Sequence, residues 1–268
     1  MIVLKVGGDI FRRGLNDSLA EDIKKVLEKD RIVMVHGGGD EVTEIAEKLG
    51  KKQVFVTSPG GIRSRYTDKE TVEIYTMVMA GRINKAIVRW LLSKGLSAVG
   101  LSGIDGALMM AKRKKRLIII DERGRRRIIE GGFTGKIIRV NSKLLKLLLE
   151  CGYIPVISPI AIGEENEYLN VDSDRAAGQI AGALKADKVI FLTDVPGIRL
   201  GEKYVNKLSL NEAKDILPKM GAGMDKKVIA SIEALEAGVK ETVIASGLID
   251  NPILAALNGL NGTVITTE

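Results

Sequence analysis

The sequence predicts an α/β protein with a mainly parallel central sheet. Two observations support this class. Apolar runs that fit buried strands alternate along the chain with segments of helical periodicity. In addition, residues 2–10 and 31–39 each form a core-strand pattern that ends in consecutive glycines before a helix begins. Such strand–glycine–helix units are typical of parallel sheets, which bind ligands at the carboxyl ends of their strands.

The remaining elements of the first half follow from the same periodicities. Helices are predicted over 18–30, 40–49, 69–94 and 141–151, and strands over 97–101 and 154–162. Gly81 is expected to bend the long third helix. Residues 116–130 differ, because β-rich runs flank the turn at 122–124 and predict an antiparallel hairpin that projects from the core.

The composition of the chain changes after Gly163, because the segment that follows is polar and acidic. Beyond it, helices are predicted over 175–184, 210–217 and 224–237, and strands over 188–193 and 242–245. No linker or low-complexity segment separates the halves. Residues 1–164 and 165–268 are therefore predicted to be two lobes joined through one continuous sheet.

Composition narrows the class of function. Hydrophobic residues make up 45% and charged residues 28%, and no apolar run approaches the roughly 20 residues of a membrane span. No basic-then-apolar leader is visible and Cys151 is the single cysteine, so we expect a cytoplasmic protein without a disulfide or a Cys-based zinc site. The net charge of +7 favours an acidic partner. The basic run at 112–116 is more typical of a solvated face than of a nucleic-acid site.

Lys5 is the unusual residue of the first strand. An ammonium inside a core strand is costly unless an anion meets it, and the amides of Gly7 and Gly8 can approach the same anion. Taken alone, this segment is also compatible with an edge strand whose lysine extends to solvent. The chain contains neither a Walker A loop nor a complete GxGxxG motif, so neither of these nucleotide sites is predicted.

Six motifs occur in order along the chain. They are LKVGG at 4–8, VHGGG at 35–39, SRYTD at 64–68, NVDSDRAA at 170–177, LTDVPG at 192–197 and GMDKK at 223–227. Together they resemble the amino acid kinase family, and specifically its N-acetylglutamate kinase branch. The resemblance implies a three-layer αβα sandwich with an N-terminal acceptor lobe and a C-terminal nucleotide lobe. It also implies ATP and Mg²⁺ as cofactors and a carboxylate as phosphoryl acceptor.

The resemblance assigns roles to individual residues. Lys5 and Lys227 match lysines that stabilise charge on the transferring phosphoryl group, and Asp174 matches the carboxylate that holds them. Lys226 is adjacent and stays open as the second lysine. The implied acceptor-binding residues are Gly38, Gly39, Arg65 and Asn170. The implied ATP-binding residues are Lys5, Gly7, Gly8, Thr193, Asp194, Gly197 and Lys227.

The chemistry is consistent with this set of residues. A carboxylate acceptor is already ionised at neutral pH, so its attack on ATP needs no general base. The only histidine, His36, is accordingly expected to pack or to form hydrogen bonds. The negative charge on the phosphoryl oxygens is stabilised by fixed lysines, glycine amides and magnesium. Asp172 and Asp174 are also suited to capping the helix that follows them.

The acceptor loop at 58–68, SPGGIRSRYTD, differs from the GLRVTD of enzymes that act on free N-acetylglutamate. It is similar to that of the [LysW]-aminoadipate and [LysW]-glutamate kinases of lysine and arginine synthesis, whose substrate is tethered to a small acidic carrier protein. Arg63, Arg125, Arg126 and Arg127 are predicted to dock such a LysW-like carrier, and the last three are expected to crowd one side of the hairpin tip. Two alternatives stay open: an N-acetylglutamate kinase that uses the free compound, and an amino-acid-sensing regulatory protein of the same fold.

The long helix also predicts self-association. Its residues Ile74, Met77 and Trp90 are expected on an exposed face that is more apolar than a solvated helix. Members of the family commonly pair through this region. We therefore expect a homodimer formed by the N-terminal half, and no nucleic-acid or membrane partner.

Overall fold

The computed structural model describes residues 1–268. The strands are β1 (Ile2–Val6), β2 (Ile32–His36), β3 (Val54–Thr57), β4 (Arg63–Tyr66), β5 (Ala98–Ser102), β6 (Met109–Arg113), β7 (Arg116–Ile120), β8 (Arg126–Glu130), β9 (Gly135–Val140), β10 (Ile154–Ser158), β11 (Ile160–Gly163), β12 (Tyr168–Asn170), β13 (Lys188–Thr193), β14 (Arg199–Leu200), β15 (Lys203–Tyr204), β16 (Lys207–Ser209), β17 (Glu241–Ser246) and β18 (Thr263–Thr266). The helices are α1 (Gly8–Arg12), α2 (Asp17–Leu27), α3 (Gly39–Lys48), α4 (Lys69–Thr76), α5 (Asn84–Ser93), α6 (Ser142–Glu150), α7 (Ser173–Leu184), α8 (Leu210–Ile216), α9 (Met224–Glu236) and α10 (Pro252–Leu257).

One eight-stranded sheet runs through the whole molecule in the order β16-β18-β17-β13-β1-β2-β10-β5. The strands from β17 to β5 are parallel, and β18 is antiparallel to β17. The predicted α/β class with a mainly parallel sheet is confirmed. Because β1 pairs with both β2 and β13 in parallel, the turns that follow these three strands meet at one edge of the sheet.

Two hydrophobic cores lie on opposite faces of this sheet. Val3 packs into the core formed with α6, α7 and α9, whereas Leu4 packs into the core formed with α2, α3 and the long helix. This alternation is the two-residue period of a strand, and burying each such side chain stabilises the fold by about 2 kcal/mol. The result is the three-layer αβα sandwich that the family resemblance implies.

Two four-stranded sheets lie outside the large sheet. Their strand orders are β12-β11-β6-β9 and β4-β3-β7-β8. The hairpin predicted at 116–130 is present as antiparallel β7 and β8. The single strand predicted over 154–162 is wrong, since it divides into β10 in the large sheet and β11 in a small one. Pro159 is the residue between them.

The predicted lobe boundary near residue 164 lies between two paired strands, because β11 pairs with β12 across it. The division into residues 1–164 and 165–268 therefore stays a prediction. The predicted long helix is continuous as α4, a π-helical segment Met77–Ile83 and α5, and Gly81 lies within the π-helical segment. None of the helices has the length and apolarity needed to span a membrane.

Candidate active site

Two glycine turns form the floor of the site, at the ends of β1 and β2. A Cβ atom on Gly8 would lie 3.0 Å from both Cα and N of Gly38, so the two turns contact each other through their backbones. Gly38 has a φ of 150°, and a Cβ there would lie 2.2 Å from Ile83 Cδ1. Only glycine fits such a position. The turn at Gly38 leads directly into the N-terminus of α3, whose free amides favour an anion.

A buried cluster of charges lies beside these turns. Lys5 Nζ on β1 is 2.8 Å from Asp174 Oδ1, and Lys227 Nζ on α9 is 3.6 Å from Asp174 Oδ2. Lys5 is 4% exposed and Asp174 is 5% exposed. We call these three residues the Lys–Asp–Lys cluster. Two ammonium groups share one carboxylate, so the cluster carries a net positive charge that an anionic ligand would balance.

The pKa values of the cluster reflect this competition. Burial disfavours the charged form of Asp174, but the attraction of Lys5 and Lys227 outweighs burial and holds the pKa of this carboxyl below its usual value. Burial lowers the pKa of Lys227, and the charge of Asp174 opposes that effect only in part. The carboxylate therefore stays ionised at neutral pH and holds both lysines toward the glycine turns.

The two adjacent lysines of α9 have different surroundings. Lys227 contacts Asp174, whereas Lys226 Nζ lies 3.8 Å from Asp172 Oδ2. Successive residues of an α-helix point about 100° apart, so only one of the two can face the cluster. The geometry therefore favours Lys227 as the second lysine, which the sequence left open.

Arg65 is positioned on the acceptor side by contacts that fix its guanidinium. It donates to Gly39 O at 2.6 Å, to Thr43 Oγ1 at 2.9 Å and to Gln53 Oε1, and it lies 5.0 Å from the ring centre of Phe55. Arg65 is 9% exposed and burial lowers its pKa. No carboxylate of the protein forms an ion pair with it, so a ligand carboxylate is a fitting partner. Thr43 and Gln53 carry no motif, and the sequence analysis missed them.

A cavity of about 720 Å³, which we call the acceptor cavity, opens beside these groups. All four predicted acceptor-binding residues line it, namely Gly38, Gly39, Arg65 and Asn170. Asn170 is oriented by donating to Thr67 Oγ1 at 3.0 Å. Ser173 also lines the cavity, one residue before Asp174 in α7, so the cavity reaches the edge of the Lys–Asp–Lys cluster.

The predicted ATP-binding residues lie on the other side of β1, beyond β13. Thr193 is buried at the end of this strand and donates to Asp194 Oδ1 at 3.2 Å, while Asp194 itself is exposed. Gly197 packs so closely on Thr263 that a Cβ would lie 2.7 Å from its Oγ1. The strand order β13-β1-β2 therefore puts these residues on one side of Lys5 and the acceptor cavity on the other.

His36 has a structural environment, as the sequence analysis expected. Its Nδ1 lies 2.9 Å from Gly37 O, and its Nε2 lies 3.3 Å from Asn84 Nδ2. A carbonyl oxygen can only accept, so Nδ1 carries the hydrogen and Nε2 accepts from Asn84. Burial lowers the pKa of His36 to about 4, which leaves it neutral at pH 7. Its hydrogen bond fixes the peptide between Gly37 and Gly38. Asn84 lies in no motif, so sequence analysis missed it.

The predicted carrier-docking arginines are not equivalent. Arg125 and Arg127 both pair with Asp121, at 3.0 and 2.9 Å. Arg126 forms no ion pair and lies on the opposite face of the hairpin, because neighbouring residues of a strand alternate. The prediction that all three crowd one side of the hairpin tip is therefore wrong. Only Arg63 among the predicted docking residues lines the acceptor cavity, where it stacks 4.4 Å from the ring centre of Phe55.

Comparison with known proteins agrees with this geometry. The sequence profile of the amino acid kinase family matches residues 1–246. A protein of Cenarchaeum symbiosum is 57% identical over 265 residues, which are 99% of each chain. The [LysW]-aminoadipate/[LysW]-glutamate kinase of Saccharolobus solfataricus is 48% identical over 266 residues, again 99% of each chain.

Solved structures show the same fold. A crystal structure of a Streptococcus mutans protein has a TM-score of 0.81 at 24% identity and covers 100% of this chain and 98% of its own. Carbamate kinase from Giardia lamblia, bound to AMP-PNP, has a TM-score of 0.68 at 16% identity and covers 99% of this chain and 98% of its own.

A mainly parallel αβα sandwich with two glycine turns and a buried Lys–Asp–Lys cluster suits phosphoryl transfer, and the relatives above are named kinases, so the class of protein is a phosphotransferase. The matches above then specify which one: the chain belongs to the amino acid kinase family. Membership of this family implies ATP as the phosphoryl donor.

Proposed function

We propose that this protein uses ATP to phosphorylate the side-chain carboxylate of 2-aminoadipate or glutamate attached to a small acidic carrier protein, in lysine or arginine biosynthesis. One observation carries the proposal: the buried Arg65 has no counter-ion in the protein and lines a cavity that reaches Ser173, the residue before Asp174 of the Lys–Asp–Lys cluster. Relatives at 47–48% identity are named [LysW]-aminoadipate/[LysW]-glutamate kinases, which supports this acceptor and this carrier.

The chain's own residues account for the transfer. Arg65 holds a carboxylate of the acceptor, so that the side-chain carboxylate of the same molecule points toward the γ-phosphate. An oxygen of that carboxylate forms the new bond to phosphorus, the bond from phosphorus to the β–γ bridging oxygen breaks, and ADP leaves with the electron pair. Lys5 and Lys227 neutralise charge on the phosphoryl oxygens, where each donor contributes about 10²–10³ in rate. No proton moves, so a base is not required.

The donor set beside the glycine turns suits a nucleotide that enters with its metal. Lysines and backbone amides bind phosphate oxygens, and no three His, Cys, Asp or Glu side chains are grouped as metal ligands. When bound to the phosphates, Mg²⁺ neutralises part of their charge. The residues that would hold the complex are Lys5, Gly8, Lys227 and those following β13.

The proposal includes the carrier and a second copy of the chain. A net charge of +7, Arg63 in the acceptor cavity and the unpaired Arg126 of the hairpin favour an acidic carrier over a neutral one. For self-association, Met77 is 59% and Leu92 55% exposed on the long helix, which supports a homodimer. The proposed biosynthetic role places the protein in the cytoplasm. Ile74 does not contribute to that surface, because it is 5% exposed and packs inside the protomer. Light scattering at micromolar concentration tests the dimer, and a monomer mass would contradict it.

An acceptor comparison tests the proposed function. The purified protein is incubated with Mg-ATP and, separately, with carrier-bound 2-aminoadipate, carrier-bound glutamate and free N-acetylglutamate. Hydroxylamine then traps the acyl phosphate as a stable hydroxamate. We expect hydroxamate from at least one carrier-bound acceptor at a kcat/KM far above that of the free compound. Efficient turnover of N-acetylglutamate alone would instead identify an acetylglutamate kinase. Binding of all three without any turnover would identify a sensor protein.

A further inference from the structure

The acceptor cavity continues beyond the residues assigned to the acceptor. From Ser173 it runs along α7 past Arg175 to Gln179, between β9 on one side and α9 on the other. At about 1.5 Å per residue, this length of helix spans about 9 Å. We call this part the outer cavity. It has space for a group attached to the acceptor, on the side away from the Lys–Asp–Lys cluster.

Lys114 lines the outer cavity with an ammonium that has no partner in the protein. It is half-buried, and its backbone N–H donates to Thr134 O at 2.9 Å, which holds the residue in place between β6 and β7. The cations on either side are paired: Arg113 lies 3.8 Å from Glu130, and Lys115 lies 2.8 Å from Glu165. The Lys114 side chain forms neither an ion pair nor a hydrogen bond. A partly buried ammonium without a counter-ion is a costly arrangement that a ligand can relieve.

The surroundings of Lys114 make it receptive to an anion. Burial lowers its pKa, and the nearby positive charges of Arg175 and Lys136 act in the same direction. Asp172 and Glu233 oppose them only in part. Glu233 is moreover committed to Arg175, whose Nε donates to it at 2.9 Å. The Arg175–Glu233 pair is neutral as a whole, and Asp172 lies 3.8 Å from Lys226, so Lys114 and Lys136 are the cations of the outer cavity that have no carboxylate partner. A carboxylate that enters the outer cavity therefore stabilises the charged lysine.

We propose that Lys114 binds a second carboxylate, carried by the group attached to the acceptor's amino nitrogen, while Arg65 binds the carboxylate of the acceptor itself. This inference rests on the proposed function and names a feature of its substrate. The two cations line the same cavity, one at the inner end and one in the outer part. An acceptor with a neutral acyl group, such as N-acetylglutamate, leaves Lys114 unpaired. Lys114 therefore contributes specificity, since selectivity is a difference between two affinities.

Two small probes isolate the second carboxylate. N-succinyl-2-aminoadipate carries a carboxylate at the end of its acyl group, and N-pentanoyl-2-aminoadipate has a similar length without it. Their dissociation constants are measured by calorimetry with the complete protein and a non-hydrolysable ATP analogue, so the readout does not depend on turnover. We expect the succinyl compound to bind about 10-fold more tightly, the typical effect of one charge-assisted hydrogen bond.

Variants assign that preference to Lys114. Lys114→Met keeps the apolar stem and should remove the preference, while Lys114→Arg keeps the charge and should retain most of it. Lys115→Met is the matched control, because its exposed side chain already pairs with Glu165. The control should behave like the wild type, and thermal melting confirms that each variant is folded. The inference is overturned if the wild type shows no preference or if Lys114→Met keeps it. A wild type without the carboxylate preference would not contradict the proposed function, because the hydroxamate assay tests that function separately.

Discussion

Two regions of the molecule place a pair of cations on one carboxylate, with opposite consequences. In the interior, the Lys–Asp–Lys cluster is almost inaccessible to water, so its charges are screened much less than charges at the surface. At the hairpin tip, Arg125 and Arg127 pair with Asp121, but both arginine side chains are more than half exposed. Solvent screens such pairs, and they typically contribute less than about 1 kcal/mol. Burial therefore distinguishes the two regions, and the interior one is the proposed site of the chemistry.

The largest expected effect belongs to the interior region. Lys227→Ala removes an ammonium that meets charge developing on the phosphoryl group, so kcat should fall by about two to three orders of magnitude with little change in the KM for ATP. Lys5→Ala should behave in the same way. Lys226→Ala is the matched control, because Lys226 contacts Asp172 and not Asp174. Steady-state kinetics with saturating acceptor measure these effects. A larger loss for Lys226→Ala than for Lys227→Ala would exchange their roles.

Arg65 should show a different kinetic signature. Arg65→Ala removes the fixed guanidinium from the acceptor cavity, so the KM for the acceptor should rise by about 10- to 100-fold while the KM for ATP stays constant. Gln53→Ala removes one of the hydrogen bonds that position Arg65, so it should raise the KM for the acceptor by a smaller factor. An unchanged acceptor KM for Arg65→Ala would move the acceptor site elsewhere.

The low pKa of His36 should make the stability of the protein depend on pH. Its folded pKa of about 4 lies below the unfolded value of 6.5, so the unfolded state binds more protons between these values. Stability is consequently lost as the pH falls below 6.5, by about 2 kcal/mol between pH 7 and pH 5. Urea unfolding of the wild type and of His36→Gln measures this term, since His36 is the only histidine. The variant should lack this acid-dependent loss, whereas equal slopes would show that His36 titrates normally.

The smallest expected effects lie at the hairpin. Arg125→Ser or Arg127→Ser removes a charge that Asp121 already balances, so the KM for a carrier-bound acceptor should change less than about twofold. Arg126→Ser removes an unpaired charge and should raise that KM about two- to fivefold with kcat unchanged. Equal effects of all three substitutions would show that Asp121 does not neutralise its partners in the complex.

Some residues of the site can be predicted from the sequence and others cannot. The glycine turns, Lys5 and Asp174 are predictable because they occur in contiguous motifs, where spacing along the chain fixes their positions. Gln53 and Asn84 are not predictable, because they act through partners remote in sequence and carry no motif. The pairing of the hairpin arginines with Asp121 depends on side-chain rotamers that composition does not encode. The basic run at 112–116 predicts a solvated position for Lys114, whereas in the structure Lys114 lines a cavity.

The salt dependence of turnover tests the central claim most directly, namely that the interior performs the transfer while exposed charge recruits an acidic carrier. The measurement is kcat/KM for carrier-bound 2-aminoadipate or glutamate between about 50 and 200 mM salt, over which the Debye length shortens. We predict that kcat/KM falls steeply while kcat stays constant, because salt screens docking and not the buried cluster. Efficient, salt-insensitive turnover of free N-acetylglutamate would contradict the account.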